Sequence, residues 1–279
     1  MKYIYLVLLG VLVVASCKQK EAVPKEWVFV KTIQLEGVYP IGIVALDGKL
    51  WLSDGDNNRL VQIDANGKIE QKVDSLERPM HIDADGESLY IPQYGEDNIA
   101  TLKNGVLGVL ALKDSLDAPA GVSVFKNEKA IADFYNNRIL YSDGDEWISF
   151  GKEGKKQGEF YYPTDVQITD SLIWVADAYN NRIQAFDKKG GFVKMMGQDQ
   201  KMNAATGIFV SEQEVFVTDF ENDRVLIFDH EGKLLQEISQ NIEKATDLML
   251  FNSQLYVINY RNGKINVFNF DEVPRSEVE

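Results

Sequence analysis

Short apolar runs recur along the chain between polar turn signals, and no stretch carries the 3.6-residue period of an amphipathic helix. Leu50-Trp51-Leu52, Leu89-Tyr90-Ile91, Ile173-Trp174-Val175, Val215-Phe216-Val217 and Leu255-Tyr256-Val257 are apolar at every position. Strands read this way when both of their faces are covered by neighbouring sheets. Asp-Gly and Asn-Gly pairs such as Asn66-Gly67 sit between runs and suit two-residue hairpins. The pattern predicts an all-β chain of short strands.

The runs fall into a repeat. One anchor is a Pro or Ala, two small or polar residues and an aliphatic one: Pro40-Ile41-Gly42-Ile43, Pro79-Met80-His81-Ile82, Pro119-Ala120-Gly121-Val122, Pro163-Thr164-Asp165-Val166, Ala205-Thr206-Gly207-Ile208 and Ala245-Thr246-Asp247-Leu248. A second anchor is a polar turn opening at Asp54, Gln93, Asp133, Asp177, Asp219 and Asn259, and it follows the first by 14 residues in all six units. Each unit reads as four strands, A to D, and four-stranded units of about 40 residues around an axis are propeller blades. The last unit lacks strand D, whereas residues 27–35 (WVFVKTIQL) precede the first anchor as an extra strand. The expectation is a six-bladed β-propeller over residues 27–270, closed by its N-terminal strand, with a polar tail over 271–279.

The turn and strand C read Asp54-Gly-Asp-Asn57-Asn58-Arg59, Asp133-Phe-Tyr-Asn136-Asn137-Arg138, Asp177-Ala-Tyr-Asn180-Asn181-Arg182 and Asp219-Phe-Glu-Asn222-Asp223-Arg224. With the preceding anchor and aromatic strand B, they resemble the NHL repeat. Units two and six depart from it, with Gln93/Asn98 and Asn259/Lys264 in place of Asp and Arg. The segment Gly154 to Pro163 is similar to the glycine–phenylalanine connection between NHL blades. The resemblance implies the fold; since NHL propellers include binding platforms, sensors, lyases and hydrolases, it does not select a function.

Lys2, the apolar run Tyr3–Ala15 and Ser16-Cys17 describe a secretory signal, and thirteen apolar residues are too few for a bilayer span of about 20. Val14-Ala15-Ser16-Cys17 resembles a bacterial lipobox. That resemblance implies removal of residues 1–16, acylation of Cys17, and a tether over 17–26. Lys18 after the cysteine favours an outer-membrane address. With one cysteine in 279 residues, disulfides within the chain are excluded. Loss of residues 1–16 removes one charge, Lys2, and takes the formal net charge from −14 to −15. So acidic a body repels phosphate backbones, which argues against nucleic acid as a partner.

Repetition separates scaffold from site. Asp and Arg occur together in units one, three, four and five and are absent together from two and six, so each Asp is expected to cap its turn and pair with an Arg. The aromatics at Trp51, Tyr90, Trp174, Phe216 and Tyr256 are expected in the core. On the rim where strands A begin and B–C turns lie, Tyr94, Phe134, Tyr135, Tyr179, Phe220 and Tyr260, with Tyr161 and Tyr162, are candidates for contact with a protein, peptide or glycan. Two residues after the first anchor, the order around the ring is Gly42, His81, Gly121, Asp165, Gly207, Asp247. His81, Asp165 and Asp247 would then stand at threefold spacing near the channel mouth, where they could hold a divalent cation or act catalytically.

The leading expectation is a non-catalytic binding module on the cell envelope, requiring no cofactor and touching the membrane only through its lipid anchor. The alternative is a lyase or hydrolase like the amidating-lyase, streptogramin-lyase or gluconolactonase-type propellers, with a site at the channel mouth and a divalent metal as its optional cofactor. With two histidines, and His230 expected on the opposite face, the chain cannot build a tri-histidine centre. It carries no nucleophile elbow, phosphate loop or zinc signature.

Overall fold

The computed structural model describes residues 25–272; the expected signal segment, Cys17, most of the tether and residues 273–279 lie outside them. Among the described residues there are six sheets of four antiparallel strands and no α-helix. Strand β1 (Lys25–Gln34) comes first. Blade one is β2 (Pro40–Leu46), β3 (Lys49–Asp54), β4 (Arg59–Ile63) and β5 (Ile69–Val73). Blade two is β6 (Asp83–Ala84), β7 (Ser88–Gln93), β8 (Asn98–Lys103) and β9 (Val106–Val109). Blade three is β10 (Pro119–Phe125), β11 (Glu128–Asp133), β12 (Arg138–Ser142) and β13 (Trp147–Phe150). Blade four is β14 (Pro163–Ile168), β15 (Ile173–Asp177), β16 (Arg182–Phe186) and β17 (Phe192–Met196). Blade five is β18 (Ala205–Val210), β19 (Glu214–Asp219), β20 (Arg224–Asp229) and β21 (Leu234–Ile238). Blade six is β22 (Ala245–Phe251), β23 (Gln254–Asn259) and β24 (Lys264–Glu272), completed by β1. The closure runs from Lys25 opposite Glu272 to Gln34 opposite Lys264, with one register shift between Phe29 and Lys31.

The core is six layers between blades. Strand β3 shows why: Trp51 packs with Leu89 and Ile91 of blade two, while Leu52 packs with Ile258 and Val267 of blade six. Alternate residues of one strand thus serve opposite neighbours, so an all-apolar run is needed. Comparable clusters join blades two and three, three and four, four and five, and five and six. Phe160, from the connection into blade four, is fully buried against Phe186.

The Asp–Arg pairs lie within single blades. Arg59 pairs with Asp54, Arg138 with Asp133, Arg182 with Asp177 and Arg224 with Asp219. The same aspartates accept an N–H from the incoming D–A connection, at Tyr39, Asp117, Tyr161 and Asn203. Gln93 and Asn259 keep that second bond, to Glu77 and Glu243, which explains how blades two and six dispense with the ion pair. A staple between blades accompanies it. Asn58, Asp97, Asn137, Asn181 and Asp223 adopt left-handed φ, and each side chain accepts the N–H of the residue preceding the next blade's anchor. Asn and Asp tolerate that conformation, which is why these turns carry them.

One strand departs from expectation. Strand A of blade two does not run on from Pro79 but shrinks to Asp83–Ala84. The reason is a change of partner: His81 donates its N–H to Ala120 and accepts from Val122, pairing in parallel with the next blade.

Candidate functional site

The axial site grows from bulges in the innermost strands. Pairing of β14 with β15 skips between Pro163 and Asp165, and that of β22 with β23 skips between Ala245 and Asp247. Bulges re-aim the residue that follows. Here they precede Asp165 and Asp247, whose carboxylates meet the His81 ring. His81 Nδ1 lies 3.8 Å from Asp165 Oδ2 and 3.7 Å from Asp247 Oδ2. The three residues expected at threefold spacing therefore converge on the axis. They lie inside the ring and not at an open mouth: His81 is 4% exposed, Asp165 6% and Asp247 5%.

The alternating glycines have a steric cause. A Cβ on Gly42 would lie 2.7 Å from the Met80 carbonyl oxygen and 2.9 Å from His81 Cα, and one on Gly121 would stand equally close to Thr164 and Asp165 Cα. Gly207 faces Thr246 and Asp247 in the same way. Each odd blade thus yields space to the backbone of the next even blade.

The carboxylates also bind backbone. Asp165 accepts N–H bonds from Val166 and from Ile208 of blade five, and Asp247 accepts them from Leu248 and from Ile43 of blade one. Asp83 does the same with Ala84 and with Val124 of blade three. Asp83 was missed at the sequence level because it sits four residues after its anchor, not two. The shifted start of strand A in blade two is what lets it fill the equivalent role. Burial pushes the Asp83 carboxyl up to about 6. Burial, aided by the Asp247 charge and opposed by His81, lifts Asp165 to about 7. Burial pulls the His81 imidazole down, but the Asp165 and Asp247 carboxylates outweigh it and raise the net value. His81 Nδ1 is buried without a hydrogen-bond partner. Such an atom calls for water, an ion or a ligand.

A cavity of about 200 Å³ adjoins the two carboxylates of the trio: Asp83, Asp165 and Asp247 line it, with Val124, Phe125, Ile168, Phe209 and Met249 among its walls, whereas His81 does not. At ~30 Å³ per water molecule it has room for roughly seven, or for one small ring compound. Its lining comes from the later halves of the innermost strands, so it lies on the A–B hairpin side of the trio.

The opposite rim carries the aromatics. Tyr162 stacks on Phe134 at 4.8 Å and on Tyr161 at 4.5 Å. Tyr135 and Tyr179 stand nearly perpendicular to it and are 48% and 59% exposed. The Tyr94 hydroxyl is 2.6 Å from that of Tyr135, and Arg78 lies over the Tyr94 ring. The rim residues of blades two to four therefore form one surface. Tyr260 and Phe220 stand apart from it, Tyr260 bonded to Asp56 of blade one and Phe220 beneath the Lys244 ammonium. His230 lies on the hairpin face, where it bonds the Ser211 carbonyl beside Trp174, and takes no part in the axial site.

No protein-family model matches the chain, and no curated protein matches it. Solved structures do. Virginiamycin B lyase from Staphylococcus aureus aligns over 88% of this chain and 100% of its own, at 14% identity and a TM-score of 0.65. A streptogramin B lyase structure aligns over 89% and 87%, at 15% identity and a TM-score of 0.63. A gluconolactonase from Xanthomonas campestris aligns over 86% and 89%, at 13% identity and a TM-score of 0.70. At these identities the likeness is one of fold: the chain is a six-bladed β-propeller whose structural neighbours include enzymes.

Proposed function

We propose that the protein is a lyase or hydrolase of small cyclic esters, with its reaction centre at His81, Asp165 and Asp247. One observation carries this: an imidazole nitrogen without a partner faces two carboxylate oxygens beside an axial cavity. Blade construction requires no histidine there, since the other five blades close without one. Opening a ring ester needs a group that handles a proton and an environment that holds developing negative charge near a carbonyl. A carboxylate of the trio would take the proton and the His81 imidazole, whose protonated form the two carboxylates favour, would hold the charge, and about 200 Å³ suits a substituted lactone better than an extended chain. The fold shared with lyases and a gluconolactonase supports the same reading. The test is a panel of sugar lactones and other small ring esters followed by mass spectrometry. Hydrolysis adds one water to the product, whereas elimination leaves the mass unchanged and creates a double bond. Asp165→Asn is expected to abolish turnover while circular dichroism stays the same. Turnover of no ring ester, or turnover indifferent to this substitution, overturns the proposal.

The exposed aromatic surface favours a second reading, a non-catalytic module that binds a protein, peptide or glycan at Tyr94, Tyr135, Tyr161, Tyr162 and Tyr179. A glycan and peptide array probed with residues 18–279 tests it. Equal signals from the protein and from a variant with alanine at Tyr94, Tyr135 and Tyr179 would sink it. Either activity would be exercised on the cell envelope, as an NHL-type propeller held by acyl chains on Cys17. Metabolic labelling with a fatty acid that survives Cys17→Ser would refute that address.

A further inference from the structure

We propose that His81 Nδ1, Asp165 and Asp247 bind one divalent cation, zinc in preference to magnesium or calcium; this rests on reading the axial trio as the reaction centre. The three ligand atoms come from three alternate blades and converge within 4.8 Å of one another. His81 Nδ1 is buried and unpartnered, and it faces the two Oδ2 atoms. Each Oδ2 already accepts one backbone N–H, from Ile208 or Ile43, which leaves its second lone pair free. Those amides fix the carboxylates from outside, as supporting groups around metal ligands do.

The donor set, taken with the spacing, selects the ion. Tetrahedral ligands about 2.1 Å from zinc lie about 3.4 Å from one another. The two histidine–carboxylate edges, 3.7 and 3.8 Å, need to close by only a few tenths of an ångström, and all three ligand atoms lie within 4.8 Å of one another. Octahedral magnesium at about 2.1 Å sets neighbouring ligands about 3.0 Å apart, which asks for twice the movement, and calcium favours an all-oxygen shell. A mixed nitrogen and carboxylate set also suits zinc. Three protein ligands leave a fourth position, and the adjoining cavity can supply water or a substrate oxygen to it.

The experiment is calorimetric titration of chelator-stripped, untagged protein with zinc, magnesium and calcium chlorides, paired with a cobalt(II) titration read by visible absorption. Zinc is expected to bind one per chain, and cobalt to give the intense bands of a four-coordinate site. His81→Ala is expected to weaken zinc by roughly 100-fold or more and to lose those bands. Asp247→Asn, which keeps an oxygen for the Ile43 amide, guards against a variant that fails to fold, and it too should weaken zinc. No zinc binding by the wild type overturns the proposal, as does binding that both variants retain, which marks surface carboxylates as the ligands. Ring-ester turnover that survives chelation would refute the cation and leave the catalytic reading standing. Zinc bound without any turnover would do the reverse.

Discussion

Replacing Trp27 with alanine measures how much of the ring's stability lies in its closure. Trp27 stands on β1, 7% exposed, and does more than pair with β24. Its ring meets Phe216 of blade five edge-on at 5.7 Å and lies 5.3 Å from Phe270. Its backbone N–H and carbonyl are both held by the Gln236 side chain of blade five, at 2.8 and 2.9 Å, and Nε1 donates to Glu214. The residue therefore fastens the first strand to blade five as well as to blade six. Truncating a buried tryptophan costs about 3–5 kcal/mol. Total stabilities of domains run to about 5–15 kcal/mol, so the loss is a large share. At about 2–4 °C per kcal/mol for a domain of this size, the melting temperature should fall by roughly 6–20 °C. Urea unfolding followed by fluorescence and circular dichroism gives the free energy. Val30→Ala, on the same strand but 45% exposed, is the control and should stay within about 0.5 kcal/mol. A Trp27→Ala loss below about 1 kcal/mol, or one matching the control, would refute the closure argument.

Deletion of residues 27–35 should go further and abolish the single cooperative transition; an unchanged melt would contradict the pairing of β1 with β24. Arg182→Ala strands the fully buried Asp177 and removes bonds to the Lys155, Lys156 and Glu159 carbonyls, so a loss of about 3–5 kcal/mol is expected in urea. Gly121→Ala pushes a methyl group against the Thr164 carbonyl and Asp165 Cα, and should cost at least about 1–3 kcal/mol; a neutral result would show that the innermost strands can separate freely. Tyr179→Ala, more than half exposed but edge-on to Tyr161 and Tyr162, should cost about 0.5–1.5 kcal/mol, and a larger loss would mark the rim as packing, not surface.

The blade plan was legible because it repeats. Six anchors in constant phase, all-apolar B strands and a surplus leading strand each report a local rule that recurs, and together they describe the closed ring. The axial trio was legible only in part. Its members occupy one repeat position, so their convergence follows from the fold, but their burial depends on bulges before Asp165 and Asp247 and on parallel pairing at His81, none of which leaves a mark in composition. Asp83 escaped for the same reason, since its blade shifts register where His81 pairs with a neighbour. The staples from Asn58, Asn137 and Asn181 lay in plain view within the turn motif, yet bonds reaching into the next blade have no spacing signal of their own.

Asp83, Asp165 and Asp247 recur every 82 residues, and each bridges into the odd-numbered unit that follows. Counted this way the wheel is three couples, not six equals. Removing or adding a single unit would bring two glycine-bearing neighbours, or two acid-bearing ones, side by side and leave the hub either hollow or crowded. A change in circumference is open to this architecture only in steps of two.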